Sequence, residues 1–165
     1  MRRKITKRSV YSRFGGFGTG QGNTHSKKLR IGIAVAEFNA DITEALIRGA
    51  LSELKASGVQ EENIIVRRVP GSFELPLACA QFAATKKYDA LIALGCVIKG
   101  ETDHYYYVAG EAARGIMEVM LKHAIPIGFG VLTTNTLQQA KDRSGTKENA
   151  GAAAASAALR MISSN

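Results

Sequence analysis

ALIALGCVI, from Ala90 to Ile98, carries no charge and no polar side chain beyond one thiol. It is short for a helix and apolar on every side, which suits a strand covered on both faces. IGIAVAE (Ile31 to Glu37) has the same character. NIIVRRV (Asn63 to Val69) and IPIGFGVLT (Ile125 to Thr133) complete a set of four strand-like runs.

Helical patterns fill the intervals. Asp41 and Glu44 have the spacing of a capping box, and Ile42, Ala45, Leu46, Gly49 and Leu54 follow as an apolar stripe that Gly58 ends. A second helix is predicted from Leu75 to about Lys86, with Pro76 in its tolerated first turn. The third runs from about Asp103 to His123. A fourth starts at Asn135 and Gln138 and stops near Gly145, and an alanine-rich fifth spans Lys147 to about Met161.

Strand and helix alternating four times predict an α/β fold with a parallel sheet and helices on both faces. Right-handed crossovers make this a doubly wound, flavodoxin-like three-layer sandwich. Four strands are expected, with a fifth available from the N-terminal segment or from a neighbour. Ligands in such sheets collect at the carboxyl ends of strands. That rule selects Glu37 to Asn39, Pro70 to Glu74, Lys99 to His104 and Phe129 to Asn135.

At 165 residues, 45% hydrophobic and 22% charged, the chain suits one globular domain. No apolar run is long enough to span a membrane, and no apolar stretch follows the basic N-terminus as a signal peptide requires. Cys79 and Cys96 sit in apolar segments and read as buried free thiols of a reducing cytoplasm. The net charge of +8 belongs to one end. Arg2, Arg3, Lys4, Lys7, Arg8, Arg13, Lys27 and Lys28 lie in residues 1–28 without an acid, and the remaining 14 basic residues balance 14 acidic ones. Residues 1–28 therefore read as a basic, Gly-rich, disordered arm, and 29–165 as the domain. A solvated tail, a transit peptide and a nucleic-acid-binding arm all share that composition.

Three segments could carry chemistry. Gly100-Glu101-Thr102-Asp103-His104 follows a buried strand and opens a helix, with Thr102 placed as N-cap. Free N–H groups, the helix dipole and Lys99 favour an anion there. Many loops of such sheets look the same. Pro70-Gly71-Ser72-Phe73-Glu74 puts a Phe beside two hydrogen-bonding side chains, and Gly71 permits an unusual backbone angle or a close ligand approach. It also reads as a plain turn with a core Phe. Arg143 and Lys147 flank Ser144-Gly145-Thr146, a pair suited to phosphate oxygens or simply to the end of a helix. His123 reads as structural. No metal-ligand spacing, P-loop or dinucleotide fingerprint is present.

Two helices carry more apolar surface than one sheet face covers. The first adds Ile47 and Leu51. The third has Tyr105, Val108, Ala112, Ile116 and Val119 on one face, and Tyr106, Ala113, Met117 and Leu121 on another. A wide core stripe or a subunit interface would explain either; an oligomer is expected.

Across residues 29–163 the chain resembles the lumazine synthase family. The matching segments are AEFN (Ala36 to Asn39), VPGSFELP (Val69 to Pro76), GCVIKGETDHYYYV (Gly95 to Val108), GFGVLTT (Gly128 to Thr134) and DRSGTK (Asp142 to Lys147). The resemblance implies condensation of a ribitylamino-pyrimidinedione with a four-carbon ketose phosphate, two small-molecule substrates, without cofactor or metal. It implies that Phe38 stacks on the pyrimidine, and that Ser72, Phe73 and Glu74 hold the ribityl chain. Val97, Ile98 and Lys99 would meet the ring edge. Gly100, Glu101 and Thr102 would bind phosphate, assisted by Arg143, to which the residue reading adds Lys147 as a nearby point charge, and His104 would transfer protons. Phe129 and Arg143 would come from a neighbouring subunit of a pentamer or an assembly of pentamers, in which riboflavin synthase is a further possible partner. Asp103, a connection one residue short after Lys147, and the long basic arm depart from the family pattern.

Overall fold

The long apolar runs become the centre of the sheet. In the computed structural model, which describes residues 28–163, the strands are β1 (Ile31–Ala36), β2 (Ile64–Val69), β3 (Ala90–Ile98) and β4 (Ile127–Thr134). They form one all-parallel sheet in the order β2-β1-β3-β4. Every residue of β1 is buried, as is all of β3 except its last. A continuous apolar run can sit only in a strand covered on both faces, and these two central strands are so covered. β2 lies at an edge and leaves Ile65 and Val66 exposed. Four strands are present among the described residues; an N-terminal fifth falls on residues 1–27, outside them, as does nearly all of the basic arm.

The helices are α1 (Ala40–Ala56), α2 (Leu75–Ala84), α3 (His104–His123), α4 (Leu137–Asp142) and α5 (Ala150–Ser163). One core joins α1 and α5 to one face of the sheet, through Ile33, Leu46, Leu54, Ile92 and Ala155. The other joins α2 and α3 to the opposite face, through Leu75, Phe82, Leu91, Ile116 and Val131. This is the three-layer, flavodoxin-like arrangement that the alternation predicted. No helix among the described residues is long and apolar enough to cross a membrane.

Four predicted helix starts are corrected. Asp41 and Glu44 form no capping box. The N-cap of α1 is Asn39, in the left-handed region at φ 60°, without a side-chain cap, and Glu44 pairs with Arg68. Thr102 does not cap α3: the N-cap position falls to Asp103, again without a side-chain bond. The start of α4 is one residue later than the Asn135 reading. Thr136 Oγ1 accepts from Gln139 N at 3.2 Å, and Gln139 Oε1 accepts from Asn135 N at 2.9 Å. Helix α5 starts at Ala150 rather than Lys147. The stop at Gly58 is as predicted. Gly58, at φ 85°, donates to Lys55 O, and Val59 donates to Leu54 O, which closes α1 in a Schellman motif.

Candidate functional site

In this strand order the helix after β1 and the helix after β3 leave on opposite faces of the sheet. Adjacent strands whose connections diverge leave a crevice at their carboxyl ends. A cleft of about 680 Å³ lies there.

Its walls come from three loops. The loop after β1 supplies Phe38, 71% exposed and therefore free to meet a ligand. Two backbone bonds hold that loop: Glu37 N donates to Val69 O at 2.8 Å and Phe38 N to Pro70 O at 3.1 Å. Asn39 then turns the chain in the left-handed region, which Asn tolerates better than most residues. Its Nδ2 donates to Cys96 O at 2.9 Å, so the loop is anchored to β3 as well as to β2.

The turn after β2 supplies Gly71, Ser72, Phe73 and Glu74. Gly71 takes an ordinary extended conformation (φ −151°, ψ −179°), so the unusual backbone angle it could have provided is not used. The glycine that matters is Gly95 on β3. A Cβ there would lie 2.5 Å from Ser72 Oγ, so its absence lets the buried Ser72 pack on the strand. Phe73 is 56% exposed and faces solvent rather than the core, which removes the plain core-Phe reading of this turn.

The end of β3 and the start of α3 supply Cys96, Val97, Ile98, Gly100, Thr102 and His104. His104 is the first residue of α3. Tyr107 and Val108 also line the cleft. They follow His104 by three and four residues and thus share its face of the helix. That spacing is readable in the sequence, but the stripe reading covers Val108, Tyr105 and Tyr106 only as core or interface and gives Tyr107 no role. Tyr105 and Cys96 were also missed. Cys96 is a buried thiol, as predicted, and burial pushes its pKa up to about 11, which disfavours the reactive thiolate. Cys79, on the buried face of α2, is pushed up to about 12 by the same cause.

Five predicted residues do not line this cleft. Lys99 points to Tyr106: its Nζ lies 5.4 Å from the ring centroid, and a hydrogen bond with Tyr106 raises the ammonium pKa. The Lys99 backbone N–H is taken by Thr134 O at 2.8 Å. Glu101 is exposed beside the cleft. Phe129 is exposed on the edge strand β4. Arg143 and Lys147 are exposed in the loop between α4 and α5, with Arg143 Nη1 donating to Gln139 O at 3.0 Å. One chain thus assembles the aromatic residues Phe38 and Phe73 with Ser72, Glu74, Thr102 and His104, and leaves the three predicted cations, Lys99, Arg143 and Lys147, outside the cleft. Among the described residues no group of three or more His, Cys, Asp or Glu is placed to hold a metal ion.

A cleft at the strand switch point, lined by exposed aromatics and by a helix-opening His, suits a planar polar ligand with an anionic end. The sequence profile of 6,7-dimethyl-8-ribityllumazine synthase matches residues 28–165, the whole of the folded unit described above. The chain belongs to the 6,7-dimethyl-8-ribityllumazine synthase family, whose activity is a step of riboflavin biosynthesis.

Proposed function

We propose that the chain condenses 5-amino-6-ribitylamino-2,4(1H,3H)-pyrimidinedione with 3,4-dihydroxy-2-butanone 4-phosphate, giving 6,7-dimethyl-8-ribityllumazine, phosphate and water. The observation that carries the reading is the cleft itself, which brings Phe38, Ser72 to Glu74 and His104 together from three separate loops.

Each part has a task. Phe38 stacks on the pyrimidine, and its exposure leaves the ring face free. Ser72, Phe73 and Glu74 hold the ribityl chain, whose hydroxyls need polar partners. Val97 and Ile98 line the ring edge; Lys99 contributes its carbonyl side only, because its N–H is already bonded. Gly100, Glu101 and Thr102 bind the phosphate near the amino end of α3, where free N–H groups and the helix dipole favour an anion. Arg143, Lys147 and Phe129 reach the cleft of a neighbouring copy. That placement accounts for their exposure and separation from the cleft in their own chain, and it makes the working unit a homo-oligomer, a pentamer or an assembly of pentamers. Residues 29–165 form the catalytic domain of a cytoplasmic enzyme and 1–28 an accessory arm.

The chemistry asks little covalent work of the protein. The pyrimidine amine attacks the ketone and water leaves as the imine forms. Proton removal next to the imine then expels phosphate, and the ribitylamino nitrogen closes the ring with loss of a second water. His104 moves the protons, since imidazoles exchange them readily near neutral pH. Holding two substrates in one cleft supplies most of the acceleration.

The test is an assay with both substrates and no added cofactor, following product absorbance and released phosphate against the uncatalysed background. Stoichiometric formation of both is expected. His104→Ala should lower the rate by about 100-fold and leave it above background. No acceleration by an assembled protein would replace this reading with a ligand-binding or scaffold role.

A further inference from the structure

Arg143 and Lys147 sit on an exposed loop, yet that loop is closely held. Ser144 is buried, and its N–H and Oγ both reach Lys141 O, at 3.2 and 3.4 Å. Ala150 N donates to Arg143 O at 2.8 Å, and Ser144 pairs with Asn149 in an isolated antiparallel bridge.

Asn149 connects these parts. Its Oδ1 accepts from Gly151 N at 2.9 Å and Ala152 N at 3.1 Å, capping α5. Its Nδ2 donates to Ala45 O of α1 at 3.0 Å and to Ser144 O inside the loop at 3.1 Å. Both amide hydrogens and both oxygen lone pairs are thus used. The amide fits because residue 49 is Gly: a Cβ on Gly49 would collide with it. A cap needs only the oxygen. The two donated bonds do something else: they fix the loop between Arg143 and Lys147 against the side of α1.

We propose that Asn149 is a positioning residue for phosphate recognition, setting the placement of Arg143 and Lys147 through Ser144 without touching substrate. This rests on the assignment of those two cations to the phosphate. The ligand class concerned is a phosphate monoester, and the effect is confined to the substrate that carries it.

The test uses the full-length assembled protein. Asn149→Ser keeps a capping oxygen and cannot span both carbonyls; Asn149→Asp keeps the shape and cap and loses both donations. Each should raise KM for the ketose phosphate about tenfold, with KM for the pyrimidine within about twofold. Inhibition by inorganic phosphate should weaken in parallel. In an Arg143→Ala background, Asn149→Ser should add less than about twofold, because residues acting through one group are not additive. Equal KM changes for both substrates, an unchanged KM, or loss of the oligomer in both variants would overturn the proposal and leave Asn149 a cap. If the wild type does not accelerate the condensation, the functional reading fails separately. Inorganic phosphate titrated into wild type and Asn149→Ser by calorimetry then decides the positioning role, which falls if the two affinities agree.

Discussion

The two faces of the sheet are covered in different ways. On one, α1 and α5 pack on the strands and on each other, and Ile47 and Leu51, apolar residues beyond the first helical stripe, are buried and half-buried in that same core. On the other, α2 and α3 cover the sheet, but α3 keeps a second apolar stripe in solvent: Tyr106, Ala113, Met117 and Leu121 are all exposed. The same excess of apolar residues in two helices therefore has two explanations. In α1 it is a wide core stripe, because the alanines of α5 let a helix lie close beside it. In α3 it is surface, unmatched among the described residues, as expected of a helix that meets another copy.

The contrast is broken first from the closed side. Leu46 is fully buried between α1, α5 and the sheet. Leu46→Ala should cost about 3 kcal/mol of stability, read as a lower urea midpoint at unchanged slope. A loss under about 1 kcal/mol would mean that this face is loosely packed, and the difference between the faces would vanish.

The open side should respond in assembly rather than folding. Met117 and Leu121 are 50% and 72% exposed. The double change Met117→Asp, Leu121→Asp should leave subunit stability within about 0.5 kcal/mol, as surface substitutions usually do, and should shift the sedimentation coefficient to a smaller species. An unaltered assembly would show that the α3 stripe is not the contact.

The sequence was most informative where burial is extreme. The runs at Ile31–Ala36 and Ala90–Ile98 have no polar residue to place, so only a central strand accommodates them. Helix starts were less legible because competing partners decide them. Glu44 has the spacing of a capping residue, but Arg68 on the neighbouring strand takes it, and no sequence window around Asp41 contains Arg68. Thr136 wins over Asn135 through a hydrogen bond that Gln139 completes. The site divides in the same way. Phe38, Ser72 to Glu74, Gly100, Thr102 and His104 follow from the carboxyl-end rule and converge. Tyr107 belongs to neither apolar stripe of α3, so periodicity assigns it no role, although its three-residue offset from His104 places it on the same face. Phe129, Arg143 and Lys147 lie apart from the cleft of their own chain, a separation that periodicity along the sequence does not reveal.

The smallest expected effect lies on the rim of the closed face, where Arg68 of β2 meets Glu44 of α1. The Arg68 hydrogen bond and charge hold the Glu44 carboxyl below its ordinary value of 4.5, against a smaller opposing effect of burial. A carboxylate depressed in the folded state stabilises the protein above its unfolded pKa, and that contribution is lost as pH falls through the folded value. With side-chain exposures of 46% and 38% the pair is well solvated, so the contribution at neutral pH is at most about 0.5 kcal/mol. Glu44→Gln should therefore lower the urea midpoint slightly at pH 7, less so in high salt, and the two proteins should converge as pH falls below 4.5. A penalty that persisted undiminished in acid would come from packing between α1 and β2 rather than from charge. The edge strand would then belong to the closed face instead of merely bordering it.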